Sequence, residues 1–384
     1  MLETVREFGL DQLTAMDERE LAHAAHAAYY AGLDEHLEPN HFPPGGRFDD
    51  RLRSIEADHP NLLAALTWMK DTGDAVGVLR LAGSLAVFWH HRSFLREGQW
   101  WLEWALVHAP DAVPLWYCRA YAGLSLVLFS QGDFARTETL AESALDIARQ
   151  IGDPEQTALA VHMLGLADLG RGQWDRAEHL MEEARVHWRT LRSPTNEAYA
   201  WANLSIIAYR QGDAGTSARH AEEALALFRI TGHSSGTAWA LNNLARLAAD
   251  RRDHWQALAA YQQSLELLAS INERWYIVQP FIGLALLAAT HDRPDQTAML
   301  IGAIDTCLDE RGFSIFPDDC ATYEQAIATA RNALGEERFA GLRACGRTLA
   351  MWEAIDLAAA VTLPARPTQP RSTEDPGRHD PRPS

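Results

Sequence analysis

Residues able to do chemistry are few in this chain, and their spacing works against most reactions. Lysine occurs once, as Lys70 in "TWMKDTG". A phosphate-binding loop needs Gly-x4-Gly-Lys-Ser/Thr, because backbone N–H groups cradle the phosphates while the lysine reaches them. No glycine precedes Lys70 at that spacing, so nucleotide hydrolysis has no loop to use. The patterns Gly-x-Gly-x-x-Gly, Gly-x-Ser-x-Gly and His-Glu-x-x-His do not occur. His23 and His26 stand three apart on one helix face, with His36 and His41 downstream. A metal there would need a further ligand and supporting hydrogen bonds; solvated or half-buried helix histidines are the simpler reading. His90-His91 points in two directions and offers no site geometry. Glu182-Glu183 and Glu222-Glu223 suit a solvated helix face better than acid–base work, which needs two carboxyls in different environments. Cys118, Cys307, Cys320 and Cys345 have neither zinc-knuckle nor redox-pair spacing and read as small apolar fillers in a reducing compartment. The expectation is no catalytic residue, no metal and no cofactor.

Composition narrows the partners. The 384 residues hold 34 Lys and Arg against 52 Asp and Glu, for a formal charge of −18. Binding to DNA draws its affinity from Lys and Arg at phosphates, and anionic membranes attract the same residues. Both are disfavoured, so no direct nucleic acid and no membrane are expected. The hydrophobic share of 47% is ample for a core. No apolar run reaches the ~18 residues that suggest a membrane span, and no signal peptide opens the chain. The cytoplasm is the expected location.

The elements that must position any site come from a repeat. "GDFARTETLAESAL", "GQWDRAEHLMEEAR", "GDAGTSARHAEEAL" and "RDHWQALAAYQQSL" start at Gly132, Gly172, Gly212 and Arg252, 40 residues apart each time. Upstream, Leu124, Leu164, Leu204 and Leu244 hold one phase; Leu284 continues it, and Leu85 begins it one residue out of phase. A small residue follows each leucine: Ala86, Ser125, Gly165, Ser205, Ala245 and Ala285. It lets a second helix come close. Ala144, Ala184, Ala224 and Ser264 supply the matching small surface on that second helix. Glycine between the helices permits positive φ. Asp153-Pro154 and Ser193-Pro194 place a cap residue before a proline at the first helical position. No segment alternates with the period of a strand, so the fold is all-α. A single helix pair cannot bury its apolar face, so the pairs must stack.

A leucine, a small residue, a glycine seven residues later and small residues on the second helix resemble the tetratricopeptide repeat (TPR). The period exceeds the ~34 residues usual for that family, and HEAT or armadillo repeats also run ~40; the leucine–small–glycine register favours the TPR. The expected architecture is a TPR-like helical-hairpin superhelix of about six pairs over 75–312. Helical caps flank it at 16–74 and 313–361. In the N-terminal cap, Asp58 is expected to start a helix whose early residues are His59 and Pro60. The segments "LETVREFGLDQL", "IEADHPNLLAALTW", "SFLREGQWWLEWAL" and "YEQAIATARNALGEERFAGLRACGRTLAMWEAIDLAAAV" occur in that order. They resemble the sensor region of bacterial STAND-type regulators, which join a nucleotide-binding ATPase and a winged helix to a TPR-like array and often to a LuxR-type DNA-binding domain. The resemblance implies that residues 1–15 are a remnant of the winged-helix linker and that the ATPase and DNA-binding domains are missing. Residues 362–384, rich in Pro, Arg, Ser and Asp, are expected to be a disordered tail. A truncated gene, a misplaced start codon and a stand-alone partner of a separate ATPase would each account for an opening that reads as mid-helix.

In a TPR array the first helices line the concave side. Offsets of −5, −1, +2 and +6 from the register leucine turn toward it, which yields Arg119, Tyr199, Asn203, Ile206, Arg210, Trp239, Asn243, Arg246 and Asp250. Tyr199, Asn203, Arg210, Trp239, Asn243 and Arg246 form the expected partner-binding patch. Asn203 and Asn243 share a phase, and a side-chain amide can donate to and accept from a peptide backbone at once; an exposed helix also simply tolerates asparagine. The functional expectation is a non-catalytic scaffold or sensor in bacterial signal transduction and transcription regulation. It would take a protein or peptide in the concave groove, with a separate STAND-type ATPase as candidate partner. The alternative is a small-molecule-sensing fragment of a LuxR-type or STAND regulator.

Overall fold

The computed structural model describes residues 8–9, 12–32, 48–273, 276–311, 315 and 317–364, and among them every regular element is helical. Helices α1 (Arg19–Ala31) and α2 (Phe48–Asp71) come first. Six pairs follow: α3 (Ala75–Arg92) with α4 (Leu95–His108), α5 (Pro114–Ser130) with α6 (Phe134–Ile151), and α7 (Pro154–Gly170) with α8 (Trp174–Thr190). The second three are α9 (Pro194–Arg210) with α10 (Ala214–Thr231), α11 (Ser234–Asp250) with α12 (His254–Ser270), and α13 (Val278–Thr290) with α14 (Pro294–Arg311). The chain closes with α15 (Pro317–Leu334), α16 (Glu336–Arg347) and α17 (Met351–Ala359). None of the described helices is long and apolar enough to cross a membrane.

The 40-residue period is written into the turns. Within pairs, Gly132, Gly172 and Gly212 have φ of 82°, 72° and 85°, and Arg252 and Asp292 continue the series at 61° and 57°. Asp133, Asp213 and Asp253 then cap the second helices by accepting from Arg136, Thr216 and Gln256 N–H. Arg252 occupies a left-handed position that glycine fills in three other pairs, and a side chain there costs ~1 kcal/mol or more. Arg252→Gly should therefore raise stability by up to ~1 kcal/mol, after the loss from a more flexible unfolded chain. A thermal midpoint at or below that of the wild type would contradict this.

The leucine–small register packs as the spacing requires. Leu85, Leu124, Leu164, Leu204 and Leu284 are buried, and Leu244 is half-buried. The small residue after the leucine meets the second helix of its own pair. Thr137 Oγ1 donates to Ser125 O at 3.4 Å, Ser217 Oγ to Ser205 O at 2.8 Å, and Thr297 Oγ1 to Ala285 O at 3.2 Å. In the intervening pairs the corresponding positions are Gly165 with Ala177 and Ala245 with Ala257. Hydroxyl and apolar seams thus alternate along the array. At Gly165 an added Cβ would lie 2.9 Å from Met181 Cε, so the methionine would have to move to admit a side chain.

The proline caps divide. Asp153 accepts from both Glu155 and Gln156 N–H, whereas Ser193 makes no backbone cap bond and instead accepts from Asn196 Nδ2 at 3.0 Å. A larger difference lies in the N-terminal cap. Helix α2 begins at Phe48 and runs through Pro60, so Asp58 is internal and does not start a helix. Its Oδ1 accepts from Tyr30 Oη at 3.2 Å. Proline in a helix removes one backbone hydrogen bond, but Leu52 and Ile55 before it and Leu62 and Leu66 after it are all buried, and that burial carries the helix across. Of residues 1–15, Leu2 and Val5 lie outside the described residues and Phe8 is exposed. Of the tail, 365–384 lies outside them as well.

Candidate functional site

The inner faces of the first helices enclose a partly open cavity of about 160 Å³. Helix α3 contributes Gly83, Val87, His90 and His91; α5 contributes Arg119, Gly123 and Leu126; α7 contributes Gln156, Leu159, His162, Met163 and Leu166. Thr195, Asn196, Tyr199, Asn203 and Ile206 come from α9, and His233, Trp239 and Tyr276 complete the far wall. Trp188 reaches in from α8, and Phe48 from the start of α2.

One side of the cavity is shut by contacts between residues far apart in the chain. His91 Nδ1, on α3, is 2.9 Å from Glu273 Oε2, just before α13. Ser235 Oγ donates to the same oxygen at 3.0 Å. Phe48 stacks on His233 at 4.2 Å and meets His91 edge-on at 4.8 Å. Outside this layer, Arg92 Nε donates to Glu56 Oε2 at 2.8 Å and Asn272 Nδ2 to Glu56 Oε1 at 3.4 Å. The superhelix is therefore clasped: the first pair is tied across the concave side to the segment joining the fifth and sixth.

Burial sets the protonation of the wall. His233 Nδ1 accepts from Gly236 N–H at 3.0 Å and so caps α11. The neutral ring then carries its proton on Nε2, which donates to Tyr199 Oη at 3.2 Å. Burial pulls His233 down to about 3, with the neighbouring His91 adding to the shift. Burial, then His91, likewise takes His90 to about 3, and burial alone takes His162 to about 4. His90 Nδ1 lies 2.8 Å from Ser130 Oγ, and His162 Nε2 lies 3.2 Å from Asn203 Nδ2. At neutral pH these three rings are uncharged. Asp49, buried beside Ser234, has its carboxyl raised by desolvation. Three polar atoms on wall residues are buried without a hydrogen-bond partner among the described residues: Trp188 Nε1, Trp239 Nε1 and Gln156 Oε1.

Other groups that carry chemistry are held in structural contacts. Ser235 donates to Glu273, makes no bond to an imidazole among the described residues, and is not part of the cavity wall. No group of three His, Cys, Asp or Glu able to hold a metal is formed among the described residues. Cys118 is buried, its thiol pushed up to about 12 by desolvation, and its Sγ–H donates to Ala144 O at 3.2 Å. The N-terminal histidines stack separately, His23 on Trp68 and His26 against Tyr30, while His36 and His41 lie outside the described residues.

The six residues of the expected patch fall into three places. Tyr199, Asn203 and Trp239 line the cavity together, with Trp239 and Tyr199 centroids 5.8 Å apart. Asn243 and Arg246 are buried beyond it. Asn243 Nδ2 donates to Ala202 O at 3.4 Å, and Arg246 sits over Tyr209 at 4.5 Å with Nη1 3.5 Å from Asp319 of α15. The C-terminal cap has already occupied that stretch of the groove. Arg210 is exposed and lies over Trp174 at 5.1 Å. Of the other groove positions, Arg119 and Ile206 reach the cavity and Asp250 is exposed. The offsets missed Gln156, Asn196 and Tyr276, which share the −8 position, and His162 at −2. The −8 row was recoverable, because it lies one helical turn from −5 on the same face. His90 and His91, read from sequence as without site geometry, are both part of the wall.

Comparison with known proteins agrees with the helical-repeat fold. Residues 116–190 and 196–270 match the tetratricopeptide repeat family model. Relatives in Mycobacterium bovis and Mycobacterium tuberculosis described as HTH-type transcriptional regulators are 30% identical over 173 residues. That stretch is 43% of this chain and 19% of theirs, so the chain spans about a fifth of the length of the curated relatives it matches. A Rap protein complexed with competence and sporulation factor superposes with TM-score 0.54 at 12% identity, covering 84% of this chain and 99% of that one. NprR in complex with its cognate peptide NprX gives 0.53 at 13%, covering 75% and 84%. A STAND protein with a tetratricopeptide repeat sensor from Pyrococcus horikoshii gives 0.50 at 14%, covering 78% and 45%. Residues 116–190 and 196–270 thus match tetratricopeptide repeats, and they lie in a helical superhelix whose described first helices line a cavity on the concave side.

Proposed function

We propose that the chain is a non-catalytic binding module of a bacterial regulatory system, and that it takes its ligand into the concave cavity. The observation that carries this reading is the wall itself. It is largely apolar, partly open, and holds two buried indole N–H groups and an amide oxygen with no partner among the described residues. Unpaired buried donors are costly, and a ligand that reached them would relieve that cost. The mycobacterial relatives support a role in transcription control. A formal charge of −18 argues that DNA contact, where it occurs, is made by another domain or chain. NprR with its cognate peptide favours a peptide ligand, and the Pyrococcus STAND protein, which carries a tetratricopeptide repeat sensor, supports coupling to a STAND-type ATPase. The domain division we propose is a linker at 1–15, caps at 16–74 and 313–361, the array at 75–312 and a tail at 362–384, in the cytoplasm.

The test is a thermal-shift screen of metabolites and short peptides against the wild type and Leu159→Trp. Leu159 is half-buried and lines the cavity, so the larger ring fills space without entering the core. A ligand at 100 times its Kd adds ~2.7 kcal/mol of stability. Hits should shift the wild type and lose that shift in the variant. Equal shifts in both would place binding elsewhere.

A further inference from the structure

We infer that the concave cavity receives one uncharged ring: an aromatic or cyclic apolar group the size of benzene, carrying a single hydroxyl-like substituent. This rests on the reading of the cavity as the ligand site and adds the ligand's chemistry.

Size is the first argument. An apolar cavity of ~150 Å³ takes up benzene, and this one measures about 160 Å³. A ring with one substituent fits; an extended peptide main chain does not, while the clasp holds and α15 fills the groove beside Arg246. The wall is the second. Val87, Leu126, Leu159, Met163, Leu166 and Ile206 present aliphatic surface to a ring. Polarity is the third. Trp188 Nε1, Trp239 Nε1 and Gln156 Oε1 belong to wall residues, are buried and have no partner among the described residues; a hydroxyl, which both donates and accepts, suits either kind of atom where the wall yields to it. Charge is the fourth. Of the four buried histidines of the wall, His90, His162 and His233 are held uncharged by burial, and His91 is engaged with Glu273. The permanently charged side chain of the wall, Arg119, has its guanidinium over the Trp116 ring at 4.9 Å. A carboxylate or ammonium would lose its hydration without a charge partner built to receive it.

The same ring chemistry can come from a free compound or from a tyrosine side chain of a peptide, so the experiment carries both. The full chain is titrated calorimetrically with phenol, p-cresol, benzoate and an acetylated, amidated Gly-Tyr-Gly. Phenol and p-cresol should saturate, with benzoate about tenfold weaker or more. Leu159→Trp, and Leu126→Trp as a second filled variant, should weaken the neutral rings by a similar factor with cooperative melting retained. A peptide that binds more tightly than p-cresol identifies a side chain as the source; a peptide that binds more weakly identifies a free compound. Benzoate equal to phenol, or no saturable binding of any neutral ring, overturns the inference. In that case, screen hits still lost in Leu159→Trp leave the concave site standing with a different ligand class. Hits that bind the variant unchanged remove the site as well.

Discussion

Replacing Glu273 with alanine should cost ~3–5 kcal/mol of stability. The carboxyl group is 1% exposed and holds two partners on one oxygen, His91 Nδ1 at 2.9 Å and Ser235 Oγ at 3.0 Å. Both partners would be left in a buried setting with nothing in their place. Breaking one side of such a pair costs more than the pair contributes, because the remaining groups were desolvated on folding. The bonds also join α3 to the residue just before α13, 182 positions apart in sequence, so their loss should loosen the mouth of the cavity as well as the global fold. Glu273→Gln keeps the shape and one acceptor, and should recover about half of the loss. Urea midpoints for the three proteins decide this. An alanine variant within ~0.5 kcal/mol of wild type, the usual range for ordinary surface changes, would mean that the clasp holds nothing.

Acid should unfold the protein early. His90 and His233 sit at about 3 and His162 at about 4 in the folded chain, against 6.5 unfolded. Their folded values are depressed, so below pH 6.5 the unfolded chain binds protons that the folded chain refuses. Stability is then lost as pH falls, from 6.5 down to the folded values. Three such groups give a slope of roughly 4 kcal/mol per pH unit. Asp49 works in the opposite sense: its raised carboxyl takes up a proton more readily when folded and returns some stability as pH falls. A typical total of 5–15 kcal/mol would be exhausted within about two to three pH units. His162→Gln, which keeps an acceptor for Asn203, should remove about a third of the slope. Denaturant midpoints at three pH values between 7.5 and 5.5 would show it. A flat profile would mean that these rings are not held neutral.

How much of this was legible depended on whether the signal was local. The 40-residue leucine–small register is a property of one helix pair repeated, and it led directly to the six stacked pairs. The turn series from Gly132 to Asp292 could be read from glycine only as far as Gly212, since Arg252 and Asp292 adopt the same φ without announcing it. Helix α2 was harder: Pro60 is a local stop signal, overridden by the burial of leucines on both sides of it. The cavity was half legible. Tyr199, Asn203 and Trp239 followed from phase within the repeat. Asn243 and Arg246 have that phase too, but Asp319, 73 residues beyond Arg246, had taken the space. His90-His91 looked featureless because its meaning lies in Ser130, Glu273 and Phe48, and no spacing rule links residues that meet only when a superhelix closes.

Entry of a ligand into the concave cavity can be followed at a single side chain. The chain has seven methionines, and Met163 lines the cavity while Met16 is exposed and Met351 half-buried far along the chain. Methyl-labelled methionine allows each to be followed by NMR during titration with phenol and with every compound or peptide that raises the melting midpoint. Binding in the cavity gives a saturable shift of the Met163 methyl, with Met16 and Met351 unmoved. A fixed Met163 resonance beside a saturating shift at Met16 or Met351 would contradict it.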